Sequence, residues 1–214
     1  MIDIVLTSKD RFNYLRITLA TLKEALRDKH VKIYLWDFSS TVLPNISNEL
    51  EMEIIRQDPT WANSGSHARY NHIITHAFIR SNKEYILQVD SDAVFHPLFY
   101  DKCLEMIHDL PGLGYGGVFN TSTHAGKKYG KYLKKQVIGA FGTLVNRKIW
   151  ETMISNNYNL FTNDMEYSLS AYVNKNTSHG VCTTINSYIE HIGYSGTHKH
   201  GDNSIDKAVN FLDE

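Results

Sequence analysis

Cysteine is scarce in this chain of 214 residues: there are two, Cys103 and Cys182. Thiols so far apart make no disulfide framework, and a reducing, cytoplasmic setting is the expectation. No window approaches the roughly 20 apolar residues needed to cross a bilayer. The opening Met1-Ile2-Asp3-Ile4-Val5-Leu6 has no basic leader and too short an apolar core for a signal peptide, so no targeting segment is expected. Charge of one sign is missing too, because 22 basic side chains face 23 acidic ones. Such a balance gives no global pull toward nucleic acid or an acidic membrane surface. No internal repeat and no low-complexity tract occurs, and no Cys spacing or HExxH-like motif marks a structural zinc site.

What is present suffices for one domain. The 42% hydrophobic and 12% aromatic content can fill a large core at this length. The first half alternates between two periods. Residues 3–7 and 31–36 read as strands, the second ending at Asp37, and 51–56 as a third. Between the first two, Phe12, Leu15, Leu19, Leu22 and Leu26 mark one face of a helix. Tyr70, Ile73, Ile74, Ala77 and Phe78 mark another from Ser66, strand 85–89 follows, and Pro97 opens the next helix. This order predicts an α/β fold, a single domain with a mostly parallel central sheet flanked by helices on both faces. The turn-rich run from Pro111 to Gly117 is the expected seam between halves 1–110 and 111–214. Beyond it, 136–145 reads as strand, 147–155 and 163–173 as helices, 181–190 as β and 202–212 as a last helix.

The apolar run Tyr85-Ile86-Leu87-Gln88-Val89 stops at Asp90-Ser91-Asp92. A buried strand of this kind delivers two carboxylates to its carboxyl end, where ligands bind in open α/β sheets. Carboxylates this close repel unless a cation joins them, and hard oxygen ligands suit Mg²⁺ or Mn²⁺. Asp37 ends the second strand likewise, either as a ligand in the same crevice or as a cap on the turn at Phe38-Ser39-Ser40. Asp10-Arg11 can start a helix, or Arg11 can reach a base or phosphate. The polar loop 61–66 feeds a helix whose N-terminus can take an anion, with Arg69 as a charged fork for diphosphate or as a solvated side chain. Asp164, before a helix, is a candidate N-cap or general base. His191, His198 and His200 cluster near a strand end, suggesting a metal or phosphate role.

Taken in order, these pieces resemble the GT-A-type (Rossmann-like) glycosyltransferases, most closely the large family-2-like group of inverting, DxD-containing sugar transferases. The resemblance is carried by Thr7-Ser8-Lys9-Asp10-Arg11, Asp37, Asn63-x-Gly65-x-x-Ala68-Arg69-x-Asn71 and Asp90-Ser91-Asp92. It continues through Gly139-Ala140-Phe141-Gly142, Trp150, Asn163-Asp164, and His191 with Gly193. It implies a metal-dependent (Mn²⁺ or Mg²⁺) inverting transfer from a nucleotide-diphosphate sugar, expected to be a UDP-sugar, to a hydroxyl acceptor. By that similarity Thr7, Arg11 and Asp37 hold the nucleotide base, and Arg69 lies near the diphosphate. Asp92 is the main metal ligand, Asp90 sits near sugar and ribose, Asp164 is the base and His191 joins the metal. Half 1–110 would bind the sugar nucleotide, and 111–214 the acceptor and the base. The group commonly shows two acids where this chain has Asn163-Asp164, which leaves Asp164 and Glu166 both open as the base.

Three other readings compete. A non-catalytic nucleotide- or glycan-binding module would not need both Asp92 and Asp164. A nucleotidyltransferase of related fold usually begins with a glycine-rich loop, and Ser8-Lys9-Asp10-Arg11 has no glycine. The third is a transferase acting on a modified nucleic-acid base. Residues 127–135 hold five lysines interleaved with Tyr129 and Tyr132, either a solvated loop or a surface for an anionic acceptor: a glycan, a lipid-linked phosphate or nucleic acid.

Overall fold

The computed structural model describes residues 1–38, 40–41, 50–58, 66–156, 165–193 and 207–211. Strand β1 (Ile2–Ser8) is flanked in parallel by β2 (Ile33–Asp37) and β4 (Tyr85–Asp90), and β3 (Met52–Arg56) extends the sheet beyond β2. On the other side of β4 come β9 (Thr143–Asn146), β6 (Tyr115–Gly117), β10 (Val181–Thr184), β8 (Tyr132–Lys135) and β7 (Gly126–Tyr129). The pairings make β8 and β9 run against all the others, so the sheet is mostly parallel, as its βα alternation predicts.

Alternation along the strands feeds two cores. Ile2, Ile4 and Leu6 of β1 face a cluster with Leu15 and Leu22 of α1 (Phe12–Ala25) and Cys103 and Met106 of α3 (Phe99–Asp109). Val5, Tyr34 and Trp36 face the opposite cluster. That layer holds Ile74 and Phe78 of α2 (Ser66–Arg80), Trp150 of α4 (Arg147–Ser155), and Leu169 and Val173 of α5 (Met165–Asn176). Asp3 within β1 is buried but satisfied, accepting from Ser81 Oγ at 2.6 Å and Lys32 N at 3.3 Å. Phe12 departs from the apolar stripe of α1, at 40% exposure, and carries the Arg16 guanidinium 5.8 Å from its ring centre.

Several boundaries differ from the sequence expectation. Residues 136–142 are not strand: Gly142 adopts φ +66°, which breaks the pleat, and β9 starts only at Thr143. The β segment 181–190 splits into β10 and β11 (Ile189–His191), which leaves the main sheet to pair with β5 (Ala93–Phe95). Helix α3 starts at Phe99 instead of Pro97, because Phe99 N and Leu98 N turn back to His96. Residues 207–211 are not helical, for their backbone bonds reach sideways, Val209 N to Asn120 O and Ser187 N to Val209 O. The rest of 202–212 lies outside the described residues.

The lysine-rich segment is a hairpin, β7–β8, and its five lysines differ in kind. Lys131 pairs with Glu105 and Asp109 at 2.5 and 2.6 Å. Lys135 is buried and donates to Asn120 Oδ1 at 2.7 Å and Thr121 O at 3.1 Å. Lys127 and Lys128 lie on the exposed edge strand. Lys135→Ala should therefore lower stability in urea unfolding by about 1–3 kcal/mol, since it strands two buried acceptors. Lys127→Ala with Lys128→Ala should change it by no more than about 0.5 kcal/mol. Equal effects would show that Lys135 is not a strut of the hairpin.

Candidate active site

The carboxyl ends of β2, β1 and β4 lie side by side, and each ends in a polar side chain. Thr7 stands in register with Asp90, and its hydroxyl donates to Asp90 Oδ1, which also accepts from Gln88 Nε2 at 3.2 Å. Ser8 stands in register with Asp37. Asp37 is buried and caps the following turn, its Oδ1 accepting from Ser40 Oγ and its Oδ2 from Ser40 N at 3.1 Å. Arg56 Nε lies 3.5 Å from the same Oδ2. On α2, the Arg69 guanidinium lies 5.7 Å from the centre of the Phe38 ring.

Past β4 the chain makes a tight turn, Ser91-Asp92, that is held from α1. Thr18 Oγ1 lies 2.9 Å from both Ser91 O and Ala93 O, and accepts from Ala93 N at 3.0 Å. Thr18 is fully buried between Leu15 and Leu22, and the apolar reading of that helix face passed over it. The signal was a hydroxyl on a leucine stripe, where it must find partners. Thr18→Val keeps the shape but leaves the turn's polar groups unpaired. It should cost about 1–3 kcal/mol by thermal or urea unfolding. A neutral result would mean the turn keeps its geometry unaided.

The clamped turn aims Asp92 inward. Its side chain is 0% exposed, and its Oδ2 meets two cationic or ionisable partners, Arg11 Nη1 and His191 Nε2, the latter at 3.2 Å. Its Oδ1 is buried and has no hydrogen-bond partner among the described residues. His191 arrives through the β5–β11 pairing, which puts it opposite Ala93, while Ile192 N donates to Asp92 O at 2.8 Å. The Phe141 ring backs the imidazole at 5.0 Å. Gly193 completes the wall. A Cβ there would overlap the Asp92 carboxylate, 2.9 Å from its Cγ, and come 3.1 Å from His191 Nε2.

Beside this wall, the loop Gly139-Ala140-Phe141-Gly142 is tied down from two elements. Glu166 Oε1 accepts from Ala140 N at 2.9 Å, and Tyr115 OH donates to Gly139 O at 3.3 Å. Burial raises the pKa of the Tyr115 and Tyr70 phenols well above normal. Asp164, His198, His200 and residues 61–65 lie outside the described residues.

No family model matches the sequence, and no curated protein matches it either. Solved structures do match in shape. The S. aureus TarS fragment 1–349 superposes with a TM-score of 0.63 over 90% of this chain, at 10% identity. The same fragment in complex with UDP-GlcNAc gives 0.60 over 92%, at 12% identity. The mannosyltransferase PcManGT from Pyrobaculum calidifontis, in complex with GDP-Man and Mn²⁺, gives 0.57 over 85%, at 10% identity.

The chain has the GT-A fold. It spans 60% of the TarS fragment and 56% of the mannosyltransferase. Within the GT-A sheet, the structure joins Arg11 and His191 through Asp92 and pairs Thr7 with Asp90 at the end of β4, with Asp37 on the adjoining strand end. Among the described residues no three His, Cys, Asp or Glu side chains converge as a ready metal cage. The donor set still fits a divalent ion: a buried carboxylate oxygen without a partner and an imidazole beside it. Mn²⁺ or Mg²⁺ held so sparsely would need its other ligands from water and phosphate oxygens. Among the described residues no helix is long and apolar enough to cross a membrane.

Proposed function

We propose that this chain is a metal-dependent, inverting glycosyltransferase that moves a sugar from a nucleoside-diphosphate sugar, a UDP-sugar, to an acceptor hydroxyl. The observation that carries the reading is the Asp92 carboxylate, fully buried yet with one oxygen unpartnered among the described residues, at the ligand-binding end of β4 in a GT-A sheet. A buried polar atom without a partner is costly, and for a carboxylate oxygen at a strand's carboxyl end a cation is the partner that best suits its charge. The complexes of TarS with UDP-GlcNAc and of PcManGT with GDP-Man and Mn²⁺ support the choice of donor class and metal.

In this reading Asp92 and His191 hold the metal. When bound, it supplies positive charge against the diphosphate as that group leaves. The half 1–110 binds the donor: Asp37 and Thr7 shape the nucleoside side, Asp90 faces ribose and sugar, and Arg69 takes the diphosphate. The half 111–214 receives the acceptor. Asp164 removes the proton of the acceptor hydroxyl as that oxygen attacks the anomeric carbon, and the single displacement inverts configuration. Glu166 is the less suited of the two acids, since one of its oxygens already holds the 139–142 loop.

Thermal shift with a panel of sugar nucleotides, with and without Mn²⁺, tests this directly. A bound donor raises Tm by mass action, so a UDP-sugar should stabilise the protein in Mn²⁺ and much less in chelator. Absence of any shift from every UDP- and GDP-sugar would overturn the reading.

A further inference from the structure

We propose that Arg11 is a built-in counter-cation of Asp92, which keeps a divalent metal from loading until a diphosphate-bearing donor draws the guanidinium away. This rests on the metal site proposed above and specifies how that site is loaded.

A fully buried carboxylate cannot stand as a bare charge, because burial removes the water that would solvate it. The structure supplies a compensating charge in the Arg11 guanidinium, whose Nη1 donates to Asp92 Oδ2. His191 Nε2 lies 3.2 Å from that same oxygen. Guanidinium and metal are therefore alternatives at one carboxylate: two cations sharing it would repel, while its other oxygen waits without a partner.

The two ends of Arg11 differ in freedom. Its backbone is fixed, with Leu15 N donating to Arg11 O at 2.9 Å. The preceding Asp10 sits at φ +50° and accepts from Thr41 N at 2.9 Å and Thr41 Oγ1 at 2.8 Å. The side chain, by contrast, is 26% exposed and so has a way out toward solvent. A planar fork of donors displaced from a carboxylate finds its best new partner in a diphosphate. Metal and donor would then load cooperatively, each strengthening the other, as linkage requires.

The test is Mn²⁺ binding to the full chain without nucleotide, followed by the electron paramagnetic resonance of unbound Mn²⁺. Arg11→Gln should bind Mn²⁺ about ten- to a hundredfold tighter than the wild type, the scale of a charge-assisted hydrogen bond to a buried carboxylate. Arg11→Lys, which keeps the charge, should stay near the wild type. UDP should tighten Mn²⁺ binding strongly in the wild type and less in Arg11→Gln. Thermal melting supplies a second readout: Arg11→Gln should melt lower than the wild type in chelator and recover in Mn²⁺. A purely structural ion pair would show the loss without the recovery, and that outcome overturns the proposal. So does equal Mn²⁺ affinity in wild type and Arg11→Gln. A gain on Arg11→Gln with no response to UDP or GDP in any variant overturns the nucleotide-sugar reading and leaves the counter-cation standing.

Discussion

Asp92→Asn is expected to abolish Mn²⁺ binding and sugar transfer while the fold survives. Asparagine keeps the size of the side chain and its place on the Thr18-clamped turn, where the contacts run through backbone atoms of Ser91 and Ala93. What it loses is the charge and one carboxylate oxygen, and an amide nitrogen cannot bind a metal in its place. Folding should not suffer, because removing a buried charge relieves its desolvation and leaves only the partly exposed Arg11 to find water. Transfer should fall by roughly 10³-fold or more, the loss expected when charge developing on a leaving group goes unstabilised. The measurements are Mn²⁺ titration, turnover of a UDP-sugar, and Tm in chelator. A variant that keeps a sizeable share of activity with unchanged metal dependence would remove Asp92 from the site.

Asp164→Asn should separate binding from chemistry. The amide retains helix-capping ability but cannot take a proton. Donor affinity and Mn²⁺ affinity should stay within a fewfold of the wild type, while transfer drops by roughly 10²- to 10⁴-fold, the usual share of a general base. Glu166→Gln is the control. Glutamine still offers a carbonyl oxygen to Ala140 N, so the loop at 139–142 should hold and turnover should change little. If Glu166→Gln is instead the crippling change and Asp164→Asn the mild one, the roles are exchanged. Loss of donor binding in both variants would mean that this segment supports the fold and the base lies elsewhere.

The parts of the fold that sequence exposed are those in which one period runs uninterrupted. Leu15, Leu22 and Leu26 at helical spacing, and the alternation of Ile2, Ile4 and Leu6 with Val5, have a single structural solution apiece, and the structure adopts it. Reading failed where a local rule overrode composition. The stretch 136–142 looked apolar enough for a strand, yet the left-handed Gly142 ends it. The hairpin at 126–135 looked like a solvated loop because lysine dominates it, whereas Tyr132 and Lys135 are buried at the two ends of β8. In the site, a strand ending in acids is legible because it is local. The meeting of Asp92 with Arg11, and of the same carboxylate with His191, is a property of tertiary register, set by the β1–β4 and β5–β11 pairings. Thr18 was hidden for a related reason, since its partners lie more than 70 positions downstream.

The β5–β11 pairing also orders events during synthesis. Ala93 and His191 are register partners, 191 − 93 = 98 residues apart. At a translation rate of ~5–20 residues per second, the nascent chain holds the acidic turn for about 5–20 s before the imidazole that completes it exists. Through that interval Asp92 can already be neutralised by Arg11, which precedes it in the chain. Closing a loop of this length is among the later steps of folding.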